Sequence, residues 1–213
     1  MNKNKLYTVG EEIFNSVSHG VGAAISVAAC VLMIIRAAIV AGAIEVVSVS
    51  IFGACLILLY ISSTLYHALT NETAKKVFRI FDHCMIFILI AGTYTPFNLV
   101  ALGGGLGWTF FGILWGTTIL GVVLNALSLN KFKKLSLVLY VIMGWCAIFA
   151  IKPIVTFLGI WGSILLLGGG IFYTVGILFY SKKDIRYMHS VWHIFVVLGS
   201  VCHILCVLFY IIK

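Results

Sequence analysis

Residues 189–212 read HSVWHIFVVLGSVCHILCVLFYII, a stretch of 24 residues that contains histidines but no acidic residue, lysine or arginine. An apolar run of about 18 residues or more is long enough to cross the hydrocarbon core of a bilayer as one helix. The stretch is typical of the chain, which is 62% hydrophobic and 9% charged, with a mean hydropathy of +1.17. This composition predicts an integral membrane protein and excludes a soluble domain.

Seven runs of this kind follow one another along the 213 residues, with short loops between them. We therefore predict one all-α membrane domain, residues 1–213, built as a bundle of seven transmembrane helices. Residues 1–16 contain Glu11 and Glu12 ahead of a long apolar run, which favours a retained cytoplasmic lead over a cleaved signal. The predicted helices are 17–40, 44–69, 79–102, 107–127, 135–157, 160–180 and 189–212.

The lysine and arginine residues are concentrated on alternate loops. Eleven of the 14 fall on one side of the predicted bundle, and only Arg36, Lys152 and Lys213 fall on the other. The positive-inside rule then places the N-terminus in the cytoplasm and the C-terminus outside. The same bias explains the net charge of +8, so we expect no nucleic acid partner. The eleven residues are Lys3, Lys5, Lys75, Lys76, Arg79, Lys131, Lys133, Lys134, Lys182, Lys183 and Arg186.

With this topology, polar side chains gather at the cytoplasmic end of four helices. They include five of the six histidines and the one aspartate that lies in an apolar run. Ionisable groups at membrane depth are costly and usually mark a functional interior, and unrelated core histidines would not share one depth. The gathered residues are Glu12, Asn15 and His19 on the first helix, Ser63 and His67 on the second, Asp82 and His83 on the third, and His189 and His193 on the seventh.

Three of these histidines are candidate zinc ligands. His189 and His193 are four residues apart and therefore share one helix face. If the second and seventh helices adjoin, His67 supplies a third imidazole, and catalytic zinc sites commonly use three protein ligands and a water. The six cysteines lie in apolar runs without CxxC spacing, which argues against a disulfide framework or a thiolate site. We predict one zinc ion per chain.

Two further residues are candidate catalytic groups. Asp82 lies about one turn inside the third helix, where it is predicted to bind the zinc water or to orient a ligand histidine. Ser63 is one turn from His67 and is predicted to hydrogen-bond that water or a substrate carbonyl. Three residues of the first helix share one face and are interpreted as a hydrogen-bonded plug on the same cluster: Glu12, Asn15 and His19.

A structural interpretation of each residue stands beside the functional one. A single membrane histidine is more often a satisfied contact between helices, and Asp82 could pair with Arg79. His83 is about 100° around the helix from Asp82 and is left out of the site. His203 lies about 15 Å beyond His193 along the helix and is interpreted as a polar contact in the middle of the bilayer.

The chain resembles the haemolysin III branch of the progestin and adipoQ receptor family over essentially its whole length. The resemblance rests on Glu12-x-x-Asn15-x-x-Ser18-His19-x-x-Gly22, Ser63-x-x-x-His67, Asp82 and His189-x-x-x-His193. It implies a seven-helix bundle with a cytoplasmic N-terminus. The eukaryotic receptors carry zinc on three histidines that match His67, His189 and His193, with the serine and aspartate that match Ser63 and Asp82 nearby. Compactness and short loops favour a protein of the bacterial plasma membrane.

The resemblance implies more than one function. The family is grouped with alkaline ceramidases as metal-dependent membrane hydrolases, which favours a zinc-dependent hydrolase of a ceramide-like or other acyl lipid. Its bacterial members are named for a proposed pore-forming activity, so a cytolysin is a second hypothesis. A regulator that senses membrane state and uses zinc structurally is a third. The sequence leaves the formation of a homo-oligomer open.

Overall fold

The computed structural model describes residues 7–182 and 184–213, and within these ranges it contains helices and turns but no strand. The all-α prediction is therefore confirmed for the described chain. Residues 1–6 of the predicted lead, with Lys3 and Lys5, and Lys183 of a basic loop lie outside these ranges. The α-helices are α1 (Val9–Val40), α2 (Ala43–Ala68), α3 (Glu72–Pro96), α4 (Gly104–Gly144), α5 (Ile151–Ser181) and α6 (Met188–Cys206). Shorter helices at Phe97–Leu102, Cys146–Ala150 and Val207–Ile211 continue or join them.

Five helical runs in the described chain are long and apolar enough to cross a membrane. This makes the protein a multi-pass membrane protein, as its composition predicts. The structure has five such runs where the sequence predicts seven helices, because the predicted helices 107–127, 135–157 and 160–180 all fall inside one run. The five runs are Val9–Val40, Ala43–Ala68, Glu72–Leu102, Gly104–Ser181 and Met188–Ile211.

The run Gly104–Ser181 consists of α4, the short helix Cys146–Ala150 and α5, and each of the two α-helices contains one residue with non-helical backbone angles. Ser128 has φ −165° and ψ 95°, and the chain folds back there, since Ser136 Oγ donates to Asn125 Oδ1 at 2.7 Å. Eleven residues of a straight helix would separate these two residues by about 16 Å. Gly159 has φ 68°, a left-handed conformation that glycine adopts without strain. Across that second reversal, Trp145 Nε1 donates to Thr174 Oγ1 at 3.1 Å.

Helix α1 begins at Val9 rather than at the predicted residue 17. Thr8 and Glu11 form a capping box: Thr8 Oγ1 accepts from the Glu11 amide at 3.3 Å, and Glu11 Oε2 accepts from the Thr8 amide at 2.8 Å. These bonds satisfy two backbone donors that a helix start otherwise leaves unpaired. The predicted start was too late because it was set where the apolar run begins. The polar residues that precede this run, Glu11, Glu12 and Asn15, are also helical.

The starts of α1 and α6 are joined by hydrogen bonds. Glu11 Oε1 accepts from the amide of Tyr187, the residue before α6, at 2.8 Å. Tyr187 has φ 62°, a conformation uncommon for residues other than glycine. One helical turn further on, Ser190 Oγ donates to Asn15 Oδ1 at 2.6 Å. These contacts bring the polar ends of the first and last helices together.

Close packing of α1 on α2 depends on Gly53. A Cβ at this position would lie 2.7 Å from Cys30 Cβ, nearer than real Cβ contacts, and 3.2 Å from Cys30 Cα, nearer than most of them. Small residues allow transmembrane helices to approach closely. We expect Gly53→Ala to lower the stability of the purified protein by about 1–3 kcal/mol, the usual cost of overpacking. The measurement is the thermal unfolding midpoint in detergent.

The matched control for this substitution is Gly116→Ala. Gly116 is also helical, but nothing lies within 4 Å of the position that its Cβ would occupy. Its unfolding midpoint should stay at or above that of the unmodified chain, since alanine favours helix more than glycine does. Equal midpoints for the two variants would contradict the packing role of Gly53.

Candidate metal centre

Three histidines of α2 and α6 meet at the polar end of the helices. One ring nitrogen from each of His67, His189 and His193 lies within 4.8 Å of those of the other two. The Nε2 atoms of His189 and His193 are 3.1 Å apart. Two nitrogens bound to tetrahedral zinc at about 2.0–2.1 Å stand roughly 3.3 Å apart. The three side chains proposed from the sequence as ligands are therefore within metal-binding distance of one another.

The orientation of His67 is set by Glu12. His67 Nδ1 donates to Glu12 Oε2 at 2.7 Å, and Lys75 Nζ lies 2.8 Å from the other oxygen of the same carboxylate. Because a carboxylate accepts this bond, Nδ1 carries a proton, and Nε2 is the ring nitrogen left for a metal. His67 Nε2 is buried and has no hydrogen-bond partner among the described residues. A carboxylate on the far nitrogen of a histidine is the usual support of a metal ligand.

His193 is held in the same way by the backbone of α1. It is fully buried, and its Nδ1 donates to the carbonyl oxygen of Asn15 at 3.2 Å. Ser18 Oγ lies 3.4 Å from the same nitrogen. A carbonyl can only accept, so the proton is on Nδ1 and the lone pair of Nε2 faces His189. Glu12 and the Asn15 carbonyl thus each hold one histidine through its Nδ1. The polar face of the first helix, predicted as a hydrogen-bonded plug, therefore orients two of the candidate ligands.

His19 and Tyr7 enclose the three histidines. The His19 ring stacks on His193, with centroids 3.6 Å apart and planes 10° apart, and neither of its nitrogens has a hydrogen-bond partner among the described residues. Tyr7 stacks on His189 at 4.8 Å and meets His67 edge-on at 5.6 Å. Burial raises the pKa of the Tyr7 phenol, and the nearby Asp82 and Glu12 carboxylates act in the same direction. Tyr7 is therefore a neutral wall of the centre, and no sequence pattern identified it.

The two candidate catalytic residues are both buried. Ser63 is completely buried, one turn from His67, and its Oγ has no hydrogen-bond partner within the described chain. Asp82 Oδ2 lies 3.6 Å from His83 Nδ1, which itself donates to the Arg79 carbonyl at 2.9 Å. The ion pair considered between Asp82 and the Arg79 side chain is not formed in the described structure, where Asp82 neighbours His83. No hydrogen bond joins Asp82 or Ser63 to His67 or His193 in the described ranges.

A cavity of about 410 Å³ lies beside the centre. Its wall is mostly apolar and is built mainly from α3, α4, α5 and α6, together with residues of the short helix Cys146–Ala150. His19, which stacks on His193, and Asp82 line it, and His203 lines it further along α6. His203 Nε2 donates to the Leu166 carbonyl at 3.1 Å, and His203 is not one of the three grouped histidines. The cavity connects the polar end of the bundle with its apolar interior.

Comparison with known proteins identifies relatives of the chain. The family model described as "Haemolysin-III related" matches residues 7–204. "Hemolysin-3 homolog" of Bacillus subtilis (strain 168) is 44% identical over 208 residues, which are 98% of each chain. "Hemolysin-3" of Bacillus cereus is 43% identical over 204 residues, 96% of this chain and 93% of the relative. "Monocyte to macrophage differentiation factor" of Homo sapiens is 27% identical over 169 residues, 75% of this chain and 68% of the relative.

Proposed function

The chain belongs to the Haemolysin-III related family and is a multi-pass protein of the bacterial cell membrane, and from this we propose that it is a zinc-dependent hydrolase of a lipid amide or ester. The observation behind the proposal is that three histidines have converging ring nitrogens, and that one of them, His193, stacks on His19, which lines a cavity of about 410 Å³ with a mostly apolar wall. Such a cavity suits an acyl chain, and a metal beside it suits attack on the bond that joins the chain to its head group.

The donor set fits zinc. His67 and His193 each donate a hydrogen bond from Nδ1, which leaves Nε2 as the nitrogen for a metal, and the buried Nε2 of His67 otherwise lacks a partner among the described residues. Three protein ligands leave one position for water, as in catalytic zinc sites. When bound, zinc would polarise a carbonyl and lower the pKa of water to near 7. We propose one zinc per chain on His67, His189 and His193.

The side chains around the centre then have distinct roles. An Asp82 carboxylate oxygen accepts the proton of the attacking water and passes it to the leaving amine or alcohol. The Ser63 hydroxyl, which has no partner among the described residues, donates to the substrate carbonyl oxygen. Glu12 and the Asn15 backbone keep two histidines in the required tautomer. Tyr7 and His19 shield the centre from bulk water, and the apolar wall holds the acyl chain.

We also propose that the chain crosses the membrane seven times, with the N-terminus in the cytoplasm and the C-terminus outside. The run Gly104–Ser181 has 78 residues and would be about 117 Å long if straight, against a hydrocarbon core of about 30 Å. Its interruptions at Ser128 and Gly159 divide it into three segments, each long enough for one crossing. The orientation is supported by the 11 of 14 basic residues on alternate connections.

Reporter fusions test this topology. A fusion after Lys134 or after Lys182 should report a cytoplasmic position, because both residues belong to basic connections, whereas a fusion after Gly104 should report an external one. The measurement is the activity of a reporter that works on only one side of the membrane. A cytoplasmic signal at Gly104 would contradict the orientation, and opposite signals at Lys134 and Lys182 would contradict the count of seven.

A pore-forming cytolysin is the second candidate, favoured by the name "Hemolysin-3" of the Bacillus cereus relative. A membrane sensor with structural zinc is the third. The experiment that separates the three functions uses zinc-loaded protein, purified in detergent or in bilayer discs. Release of fatty acid from ceramide-like and phospholipid substrates that stops on chelation supports the hydrolase. Release of haemoglobin from red cells without fatty acid release supports the cytolysin, and zinc binding without either activity supports the sensor.

A further inference from the structure

Two lysines distinguish the histidine end of the cavity. Lys133 and Lys134 line it, together with one carboxylate, that of Asp82. Lys133 is half-buried and Lys134 is exposed. The rest of the wall is mostly apolar, including Leu89, Phe97, Ile151, Val155 and Leu167. The cavity therefore has a cationic mouth and an apolar interior. Such a cavity matches an amphipathic ligand, whose polar head would lie at the mouth and whose apolar chain would lie inside.

Neither lysine has a carboxylate partner among the described residues. Lys75 provides the contrast, since its ammonium group is neutralised by Glu12 at 2.8 Å. The Lys133 ammonium instead lies 5.8 Å from the centroid of the Tyr180 ring. Lys134 makes no hydrogen bond or ion pair with the described part of the chain. Two cations beside a single lining carboxylate leave an excess positive charge at the mouth, which favours an anion there.

The mouth is close to the metal centre. The Tyr180 ring that contacts Lys133 also lies 5.9 Å, centroid to centroid, from the His189 ring. One aromatic side chain thus spans the distance between the cationic group and a candidate ligand. In an acyl lipid, the ester or amide that joins the chain to the head group is likewise only a few bonds from the head group. A lipid with its head group at Lys133 would place this bond toward His189 and Asp82.

We propose that the cavity selects acyl lipids with an anionic head group, phosphate or carboxylate, which Lys133 and Lys134 bind while the acyl chain occupies the apolar interior. Charge-assisted hydrogen bonds from ammonium groups to phosphate or carboxylate are about twice as strong as neutral ones. A neutral ceramide-like lipid would leave both ammonium groups unpaired. The proposal rests on the proposed function for the bond that is cleaved, but lipid binding itself does not require turnover.

The test is equilibrium binding of fluorescent lipids to purified protein in a nonionic detergent, with a chelator present so that no metal-dependent turnover occurs. The probes are phosphatidylglycerol and phosphatidylcholine with the same labelled acyl chains, a labelled ceramide and a labelled fatty acid. We expect phosphatidylglycerol to bind about tenfold more tightly than phosphatidylcholine or ceramide. The double substitution Lys133→Gln/Lys134→Gln should abolish this preference and leave binding of the neutral lipids unchanged.

The matched control is Lys131→Gln. Lys131 belongs to the same basic segment, but its ammonium group lies 5.3 Å from the Phe132 ring and it does not line the cavity. The control should keep the preference, since general attraction between basic segments and anionic lipids is not selective for the cavity. Equal loss in Lys131→Gln and in the double variant would overturn the proposal, as would equal affinity for phosphatidylglycerol and phosphatidylcholine.

Two further comparisons separate the sources of the anion and the two proposals. Binding that depends on the two lysines, of either the phospholipid or the fatty acid, supports an anion site. Tighter binding of the phospholipid identifies a lipid head group as the natural occupant, and tighter binding of the fatty acid identifies a released acid. Lysine-dependent binding together with no hydrolysis by zinc-loaded protein would reject the proposed function while the lipid site stands. Hydrolysis with no preference for anionic lipids would reject the lipid site alone.

Discussion

Purified protein is expected to contain about one zinc ion per chain and to lose it when His67, His189 or His193 is replaced by alanine. The physical reason is that three imidazoles supply all the protein ligands proposed, and a remnant with two ligands binds zinc poorly. The ring nitrogens of the three residues lie within 4.8 Å of one another, so no other side chain is required to complete the set. The measurement is metal content by elemental analysis after size exclusion in metal-free buffer.

His203→Ala is the matched control for the three ligand substitutions. His203 is also a buried histidine on α6, but its Nε2 bonds to the Leu166 carbonyl and it is not part of the cluster. It should keep its zinc, even though the loss of a buried side chain lowers stability. Stoichiometric zinc in all four variants would show that the ligand assignment is wrong. Loss of zinc in His203→Ala alone would place the metal further along the cavity.

The candidate site could be predicted from the sequence because position along a transmembrane helix follows from the loops that bound it. Once the basic connections were assigned to one side, His67, His189 and His193 had to lie at the same end of the bundle. Their spacing then predicted the shared face of His189 and His193. The structure brings ring nitrogens of these three residues within 4.8 Å of one another, and the family match confirms the resemblance noted from the sequence.

The supporting contacts could not be predicted in the same way, because they join parts of the chain that are far apart in sequence. The Asn15 carbonyl and His193 Nδ1 are separated by 178 residues, and Glu12 and His67 by 55. Hydropathy gives the depth of a residue but not its rotation about the helix axis or its neighbour. Tyr7 shows the limit clearly, since a single aromatic residue in a polar segment gives no periodic signal of its burial against His189.

The predicted helix boundaries were wrong where polar residues at the end of an apolar run are helical. Thr8 and Glu11 carry a capping-box pattern that was legible in the sequence, yet the end of the apolar run suggested a later start for α1. The basic segment that includes Lys131 and Lys133 was predicted as a loop, but its backbone is helical and the chain reverses at Ser128 instead. A short polar segment at the edge of a bilayer can remain helical because its side chains reach water while its backbone bonds stay paired.

Asp82→Asn is expected to lower the rate of lipid hydrolysis by about 10²–10⁴-fold while zinc content is unchanged. Asparagine has nearly the same shape as aspartate but cannot accept the proton of the attacking water, and losses of this size are typical when a general base is removed. Zinc should remain because the three histidines are intact. Ser63→Ala should cost less, because it removes one hydrogen bond to the substrate carbonyl and leaves the proton acceptor in place. The measurement is fatty acid release by zinc-loaded protein, with metal content determined on the same sample.

The matched control is Asp184→Asn. Asp184 and Asp82 are the two aspartates of the chain, and Asp184 is exposed in the connection before α6, away from the cavity wall. Its removal changes the net charge by the same amount and should leave turnover intact. If Asp82→Asn hydrolysed lipid as fast as Asp184→Asn, Asp82 would not be the proton acceptor. If it lost zinc as well as activity, Asp82 would be a ligand or a support of the metal, and the role of base would pass to another group of the centre.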